Sequence, residues 1–166
     1  LSPLMYSIRE NCTSCVEVLL DHGVYLDLPD PDGVSPLLLA IINTNWDIAK
    51  TLIEAGADVE QWDKFGQSPL LAIAGSRNQS GLKVDGILNQ SDGLTIARML
   101  LEAGANPNMQ LFFRPAGARG GPLSRGTTPL IRAASNGDVE LMKLLMQSGA
   151  QADMPQADLQ TPVSVL

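Results

Sequence analysis

A triplet of Ser or Thr, Pro and an aliphatic residue returns along this chain at a fixed interval, and that period constrains the fold more than any local feature does. SPL stands at Ser2, Ser35 and Ser68, TPL at Thr128 and TPV at Thr161, so successive starts lie 33, 33, 60 and 33 residues apart. A period of this length marks a repeated structural unit. The triplet also carries its own physics. The hydroxyl oxygen caps a helix, and the Pro takes the first helical position, where its missing N–H costs nothing. A helix is therefore expected to open at each triplet.

The clearest copy runs from Thr128 to Asp153, TPLIRAASNGDVELMKLLMQSGAQAD. Leu130, Ala133 and Ala134 recur at helical spacing, Asn136-Gly137 stops that helix, and Asp138 caps a second one. Leu141, Leu144, Leu145 and Met146 form the apolar stripe of the second helix, which Gly149 ends. Two short helices and a turn cannot cover that much apolar surface alone, so each copy must stack on its neighbours. The chain is 45% hydrophobic but only 4% aromatic, which suits thin helices around an aliphatic core.

This unit resembles the ankyrin repeat, whose pattern is TPLHxA, a Gly-bounded turn and a second helix ending in LLxxGAD. The matching segments are EVLLDHG up to Gly23, TLIEAGADV from Thr51, MLLEAGANPN from Met99 and KLLMQSGAQAD from Lys143. The family's His is absent, its neighbourhood holding Met5, Leu38, Leu71 and Ile131. The resemblance implies an all-α solenoid of stacked helix-turn-helix units joined by β-hairpin loops. Repeats are expected at about 2–34, 35–67, 68–127 and 128–160, with a further one starting at 161–166. Because the first and last copies are partial, the chain is expected to be a piece of a longer protein.

The third repeat departs from the period twice. Gly56 to Gly104 spans 48 residues instead of 33, which places 15 extra residues near 76–91, and Gly104 to Gly149 spans 45, which places 12 more within 110–126. Lengthening a surface loop is cheap, roughly 0.6 kcal/mol per doubling, yet long loops are often binding elements. Ordering 12 backbone residues costs about 1–2 kcal/mol each, and burying Leu111, Phe112, Phe113 and Leu123 returns about 1.5–3 kcal/mol apiece. A packed Phe-containing root and a mobile AGARGG tip are therefore expected. The segment has neither the Lys nor the spacing of a phosphate loop, so no nucleotide or other cofactor is expected. Arg114, Arg119 and Arg125 make it the most basic element, either a lid paired to the acidic hairpins or a ligand site.

Charge is distributed unevenly. Up to Gln67 there are 3 Lys and Arg against 11 Asp and Glu, and from Ser68 onward 8 against 7, within an overall net charge of −7. Acidic hairpin tips keep an exposed array soluble, or they offer a patch to a basic partner. Nucleic acid is disfavoured because its phosphates need a basic stripe. No apolar run is long enough to insert into a membrane. The pair in CTSC reads as a core residue, Cys15, and a helix-start residue, Cys12, since a zinc site needs four ligands. His22 reads as a surface residue at a helix end. No acid/base pair, activated nucleophile or metal cluster is visible, so the chain is not expected to be an enzyme.

The expected function is protein binding on a concave face made of hairpin tips and inner helices, as in ankyrin-like proteins. Carried onto this sequence, that face comprises Pro31, Asp32, Val34, Lys64, Phe65 and Gln67 on the tips, and Arg9, Glu10, Asn43 and Arg132 on or after the inner helices. Phe112, Phe113 and Arg114 add the root of the second insertion, with the aromatics as anchors. Trp62 reads as packing at the base of its hairpin. The alternative is an arm that positions a catalytic or sensory domain lying outside these residues. End-to-end stacking with further repeats or copies follows if the terminal units lack polar caps. A narrower resemblance is to ankyrin arrays in exported proteins of soil bacteria, which implies a bacterial and periplasmic origin, with the cytoplasm as the alternative.

Overall fold

The computed structural model describes residues 1–76, 90–112 and 125–154, with the backbone only at 90–92. Four helices begin on the Pro of a triplet: α1 (Pro3–Arg9), α3 (Pro36–Ile42), α5 (Pro69–Ser76) and α7 (Pro129–Ser135). In each, the triplet hydroxyl accepts a hydrogen bond from the backbone N–H three residues on. The distances are 3.3 Å from Met5 to Ser2, 3.1 Å from Leu38 to Ser35, 3.3 Å from Leu71 to Ser68 and 3.2 Å from Ile131 to Thr128. Ser35, Ser68 and Thr128 are buried, so water is not at hand to replace that bond.

The second helix of each unit is α2 (Thr13–Asp21), α4 (Trp46–Glu54), α6 (Gln90–Glu102) or α8 (Val139–Gln147). All four stop in the same way. Gly23, Gly56, Gly104 and Gly149 take left-handed φ values of 70 to 100°, and the N–H of the following residue reaches back to a Leu carbonyl. These bonds run from Val24 to Leu19, Ala57 to Leu52, Ala105 to Leu100 and Ala150 to Leu145, at 2.9–3.2 Å. The closing LLxxGA pattern is thus a helix terminator that only Gly supplies without strain.

Helices α1, α3, α5 and α7 pack in succession as one layer, and α2, α4, α6 and α8 as a second. Between the layers lies the core, made of Leu4, Ile8, Leu37, Ile41, Leu52, Leu70, Ile73, Leu100, Leu141 and Leu145, all shielded from solvent. The all-α solenoid expected from the period is the observed architecture. Its connecting loops are hairpin-shaped turns held by isolated hydrogen bonds, and no strand forms among the described residues. The first departure from the period falls between α5 and α6. Helix α6 already begins at Gln90, inside the stretch expected to be inserted, and at 13 residues it is longer than the 9-residue α2, α4 and α8.

The reading of Cys15 as a core residue is corrected. Cys12 and Cys15 form a disulfide with their Cα atoms 5.3 Å apart, and Cys15 is exposed. The equivalent Ile48 and Leu141 are buried, as is the next residue on α2, Val16. Cys12 caps the helix one turn away, accepting from the Cys15 N–H, and residues three apart at a helix start are neighbours. His22 lies at the exposed end of α2, its Nδ1 2.7 Å from the Val18 carbonyl.

Two stability outcomes follow. Ser35→Ala should cost about 1 kcal/mol in urea denaturation, and the half-buried Ser2→Ala less, because only the interior hydroxyl leaves an N–H without water. Thr44 holds a left-handed φ of 58° where the equivalent position of the last unit has Gly137 at 68°. A β-branched residue is strained there, so Thr44→Gly should raise stability by about 0.5–1 kcal/mol in the same assay.

Candidate partner-binding site

The loop tips are built on a repeated carboxylate turn. Asp30 Oδ1 accepts from the Asp32 and Val34 N–H groups at 2.8 and 2.9 Å, and Asp63 Oδ1 accepts from Phe65 and Gln67, both at 2.9 Å. Gly33 and Gly66 complete each turn at φ 82 and 84°. The tips are then joined in series, since Lys64 N–H donates to the Asp32 carbonyl and Phe112 N–H to the Phe65 carbonyl, at 2.9 and 3.0 Å. Adding a side chain at Gly66 would collide with Phe112, 2.8 Å from its backbone nitrogen.

The third tip keeps this register across its insertion. Asp30 and Asp63 donate to Val34 and Gln67, while Gly33 and Gly66 donate back to the Asp carbonyls. Leu111 to Thr127 at 3.0 Å and Gly126 to Leu111 at 2.8 Å repeat that pair. Phe112 and Arg125 therefore occupy the places of Lys64 and Phe65, and the 12 extra residues all fall between them, at 113–124. Phe113, Arg114, Arg119 and Leu123 lie outside the described residues. At the root, Leu111 is buried, whereas Phe112 is 52% exposed and meets Trp62 edge-on, ring centroids 6.0 Å apart. Trp62, expected to be packed, is 48% exposed.

The remaining tip residues are displayed on this fixed backbone. Pro31, Asp32 and Lys64 are exposed, and Val34, Phe65 and Gln67 are half-buried. Lys64 Nζ pairs with Asp32 Oδ1 at 2.6 Å and sits 5.1 Å from the centre of the Phe65 ring. On the inner layer, Arg9 lies 4.9 Å over the Tyr6 ring and 3.6 Å from Glu10, and both Glu10 and Asn43 are exposed helix ends. Arg132 on α7 is half-buried, and burial lowers its pKa from the ordinary guanidinium value. The sequence reading missed Tyr6, Leu39, Ile42, Ala72 and Gly75. Each stands four or seven residues after its triplet, in register with Arg132 or Ser135, and that offset is the signal that finds them.

Much of the acidic charge is already in use. Asp27 accepts from the Asp58 N–H, Glu60 from Asn106, and the amide oxygen of Asn108 from Gln151, at 2.9, 2.6 and 2.8 Å. The same position of three successive loops thus ties its repeat to the next. Asp30 and Asp63 hold the tips, Asp58 accepts from Glu60, and Asp32 is paired with Lys64.

A shallow cleft of about 500 Å³ lies elsewhere, between α6 and α8, lined by Arg98, Leu101, Glu102, Leu144, Gln147 and Ser148. It contains no residue of the tip and inner-helix face. Among the described residues no group of three or more His, Cys, Asp and Glu could hold a metal ion. No described helix is long and apolar enough to cross a membrane.

Because the bonds flanking 113–124 match those of the uninterrupted tips, joining Phe112 directly to Arg125 should leave the fold intact. The helical circular dichroism should be unchanged and the melting temperature should move by no more than about 3 °C, as expected for altering one surface loop.

Two family models match, one of ankyrin repeats in three copies over residues 1–63 and one of the ankyrin repeat over residues 125–158, together more than half of the chain. Ankyrin repeat and SOCS box protein 16 of Homo sapiens is 30% identical over 95% of the chain and 39% of its own length. A putative ankyrin repeat-containing protein of Treponema pallidum is 34% identical over 87% of the chain and 40% of its own length. The putative E3 ubiquitin-protein ligase XBAT34 of Arabidopsis thaliana is 31% identical over 78% of the chain and 28% of its own length. The chain thus spans about two-fifths or less of the length of these relatives. Their shared module is a protein–protein interaction repeat, generally without catalysis of its own. The stacked capped helices, the Gly terminators and these matches place the chain in the ankyrin-repeat family.

Proposed function

We propose that this chain is a non-catalytic scaffold that holds a protein partner on the face formed by its loop tips and inner-helix ends. The observation that carries this reading is the tandem of backbone-fixed tips. Their main chain is anchored by Asp30, Asp63 and the serial bonds through Lys64 and Phe112, so the side chains they display lose little freedom on binding. The proposed contacts are Pro31, Asp32, Val34, Lys64, Phe65 and Gln67, with Arg9, Glu10, Asn43 and Arg132 from the inner layer. Phe112, together with Phe113 and Arg114 from the insertion, extends the surface. Exposed Phe112 against Trp62 is the strongest anchor, as large aromatics dominate interface energies.

The partial coverage of the relatives supports a second reading, in which the array is the targeting or regulatory arm of a larger enzyme or sensor. The Cys12–Cys15 disulfide favours an oxidising compartment, in keeping with an exported protein.

The double exchange Asp32→Lys with Lys64→Glu keeps the ion pair and inverts its polarity. Affinity capture from the native source with this variant should recover at least about 10-fold less of the partners bound by the unaltered chain. Undiminished recovery would place the partner on another face.

A further inference from the structure

The inner layer presents one row of equivalent positions, four residues after each triplet serine or threonine: Tyr6, Leu39, Ala72 and Arg132. A second row, three residues further on, is Arg9, Ile42, Gly75 and Ser135. In the first row three of the units carry an aromatic, aliphatic or small residue, Tyr6 being 49% exposed, and in the second row Ile42 is 42% exposed beside the cation Arg9. The fourth unit places a cation in the first row. A Cβ at Gly75 would collide with the Nη2, Cζ and Nε atoms of Arg132. The guanidinium therefore lies in the notch that the missing side chain leaves on α5. Beside it, Asn136 donates to the Ala74 carbonyl at 2.8 Å and fixes α7 on α5.

Among the described residues this guanidinium has no counter-charge. Its Nη1 is buried without a hydrogen-bond partner, and among the described residues no carboxylate pairs with it, whereas Arg9, Lys50, Lys64 and Lys143 each have one. A half-buried cation without a partner destabilises the free chain, because solvation is lost and nothing replaces it. Burial lowers its pKa, but an Arg remains charged throughout the neutral range, so the cost is present at every physiological pH. The planar fork of an Arg matches a carboxylate in two parallel bonds. A doubly charged phosphate would gain similar bonds, yet it must enter the field of a chain carrying −7, which a single carboxylate tolerates better.

We infer that Arg132, seated on Gly75, is the receptor for one carboxylate borne by the partner polypeptide, whose adjoining aliphatic side chains lie along Leu39 and Ile42. The inference rests on the scaffold reading and adds to it the chemistry of the bound segment.

Selection of random 12-residue peptides on the full chain tests it, using one library with a constant carboxy-terminal extension and one with free carboxy termini. Peptides bound to this face are identified by competition with one another and by loss of binding to the Asp32→Lys, Lys64→Glu variant. They should be enriched for an acidic residue beside aliphatic ones in the first library, or require their free terminus in the second. Either result supports the inference and tells a side-chain from a terminal carboxylate. Arg132→Gln should weaken the selected peptides about 10–100-fold, the loss of a charge-assisted pair, and should spare peptides whose acid has been replaced by its amide. Gly75→Ala, which displaces the guanidinium but keeps its charge, should weaken them in the same direction.

The free chain supplies a second readout. Arg132→Gln should raise the melting temperature by about 2–4 °C, since an unpaired desolvated charge is removed. A lower melting temperature would mean that the side chain serves packing, and would overturn the inference. Peptides that bind this face without acidic preference would also overturn it while leaving the scaffold reading intact. Failure to recover any peptide on this face would contradict both.

Discussion

A helix of seven residues followed by one of nine has more apolar surface than it can cover by itself, and everything else in this molecule follows from that shortage. Leu4, Leu37, Leu70 and Leu130 sit two residues after their capping hydroxyls and are all buried in the stack. Register is set by small, repeated polar devices. The triplet hydroxyl fixes where the inner helix starts, a left-handed Gly fixes where the outer one stops, and a side chain from each loop bonds a backbone N–H in the next. None of these bonds is strong alone, at about 1 kcal/mol. Their common role is to keep apolar faces opposed.

The same shortage explains why the insertions do not break the stack. Both enter where the chain turns. At the third tip, Leu111, Gly126 and Thr127 reproduce the backbone hydrogen bonds of Asp63, Gly66 and Gln67 although 12 residues intervene. At the inner turn, α6 gains residues at its free start, while its Gly104 end keeps the common terminator. Growth at loop tips costs little, whereas the same length placed inside a helix would shift every apolar residue off its face.

The fold was legible in the sequence because its determinants are local and periodic. Ser-Pro spacing, LLxxGA endings and Asp-x-x-Gly tips each name a backbone geometry. The face was less legible. Arg132 and Phe112 could be named from position, but their surroundings depend on contacts between residues far apart in the chain. That Gly75 opens a notch for Arg132 across 57 positions, or that Trp62 stays half-exposed against Phe112, is a fact of packing. That Asp27 and Glu60 bond neighbouring loops is likewise a contact that sequence alone does not bring together. Cys15 was misread because the pattern assigns its position to the core, whereas here it is exposed and bonded to Cys12.

The central claim is that the inner layer runs unbroken from α5 to α7 across both insertions, and the contact between Asn136 and Ala74 is its most direct witness. Proton nuclear Overhauser spectroscopy of the labelled chain should give cross-peaks from the Asn136 side-chain amide to the α-protons of Ala74 and Gly75. Contacts of α7 with other elements and none with α5 would contradict the claim, because the third and fourth units would then not be adjacent and the stack would be broken between them.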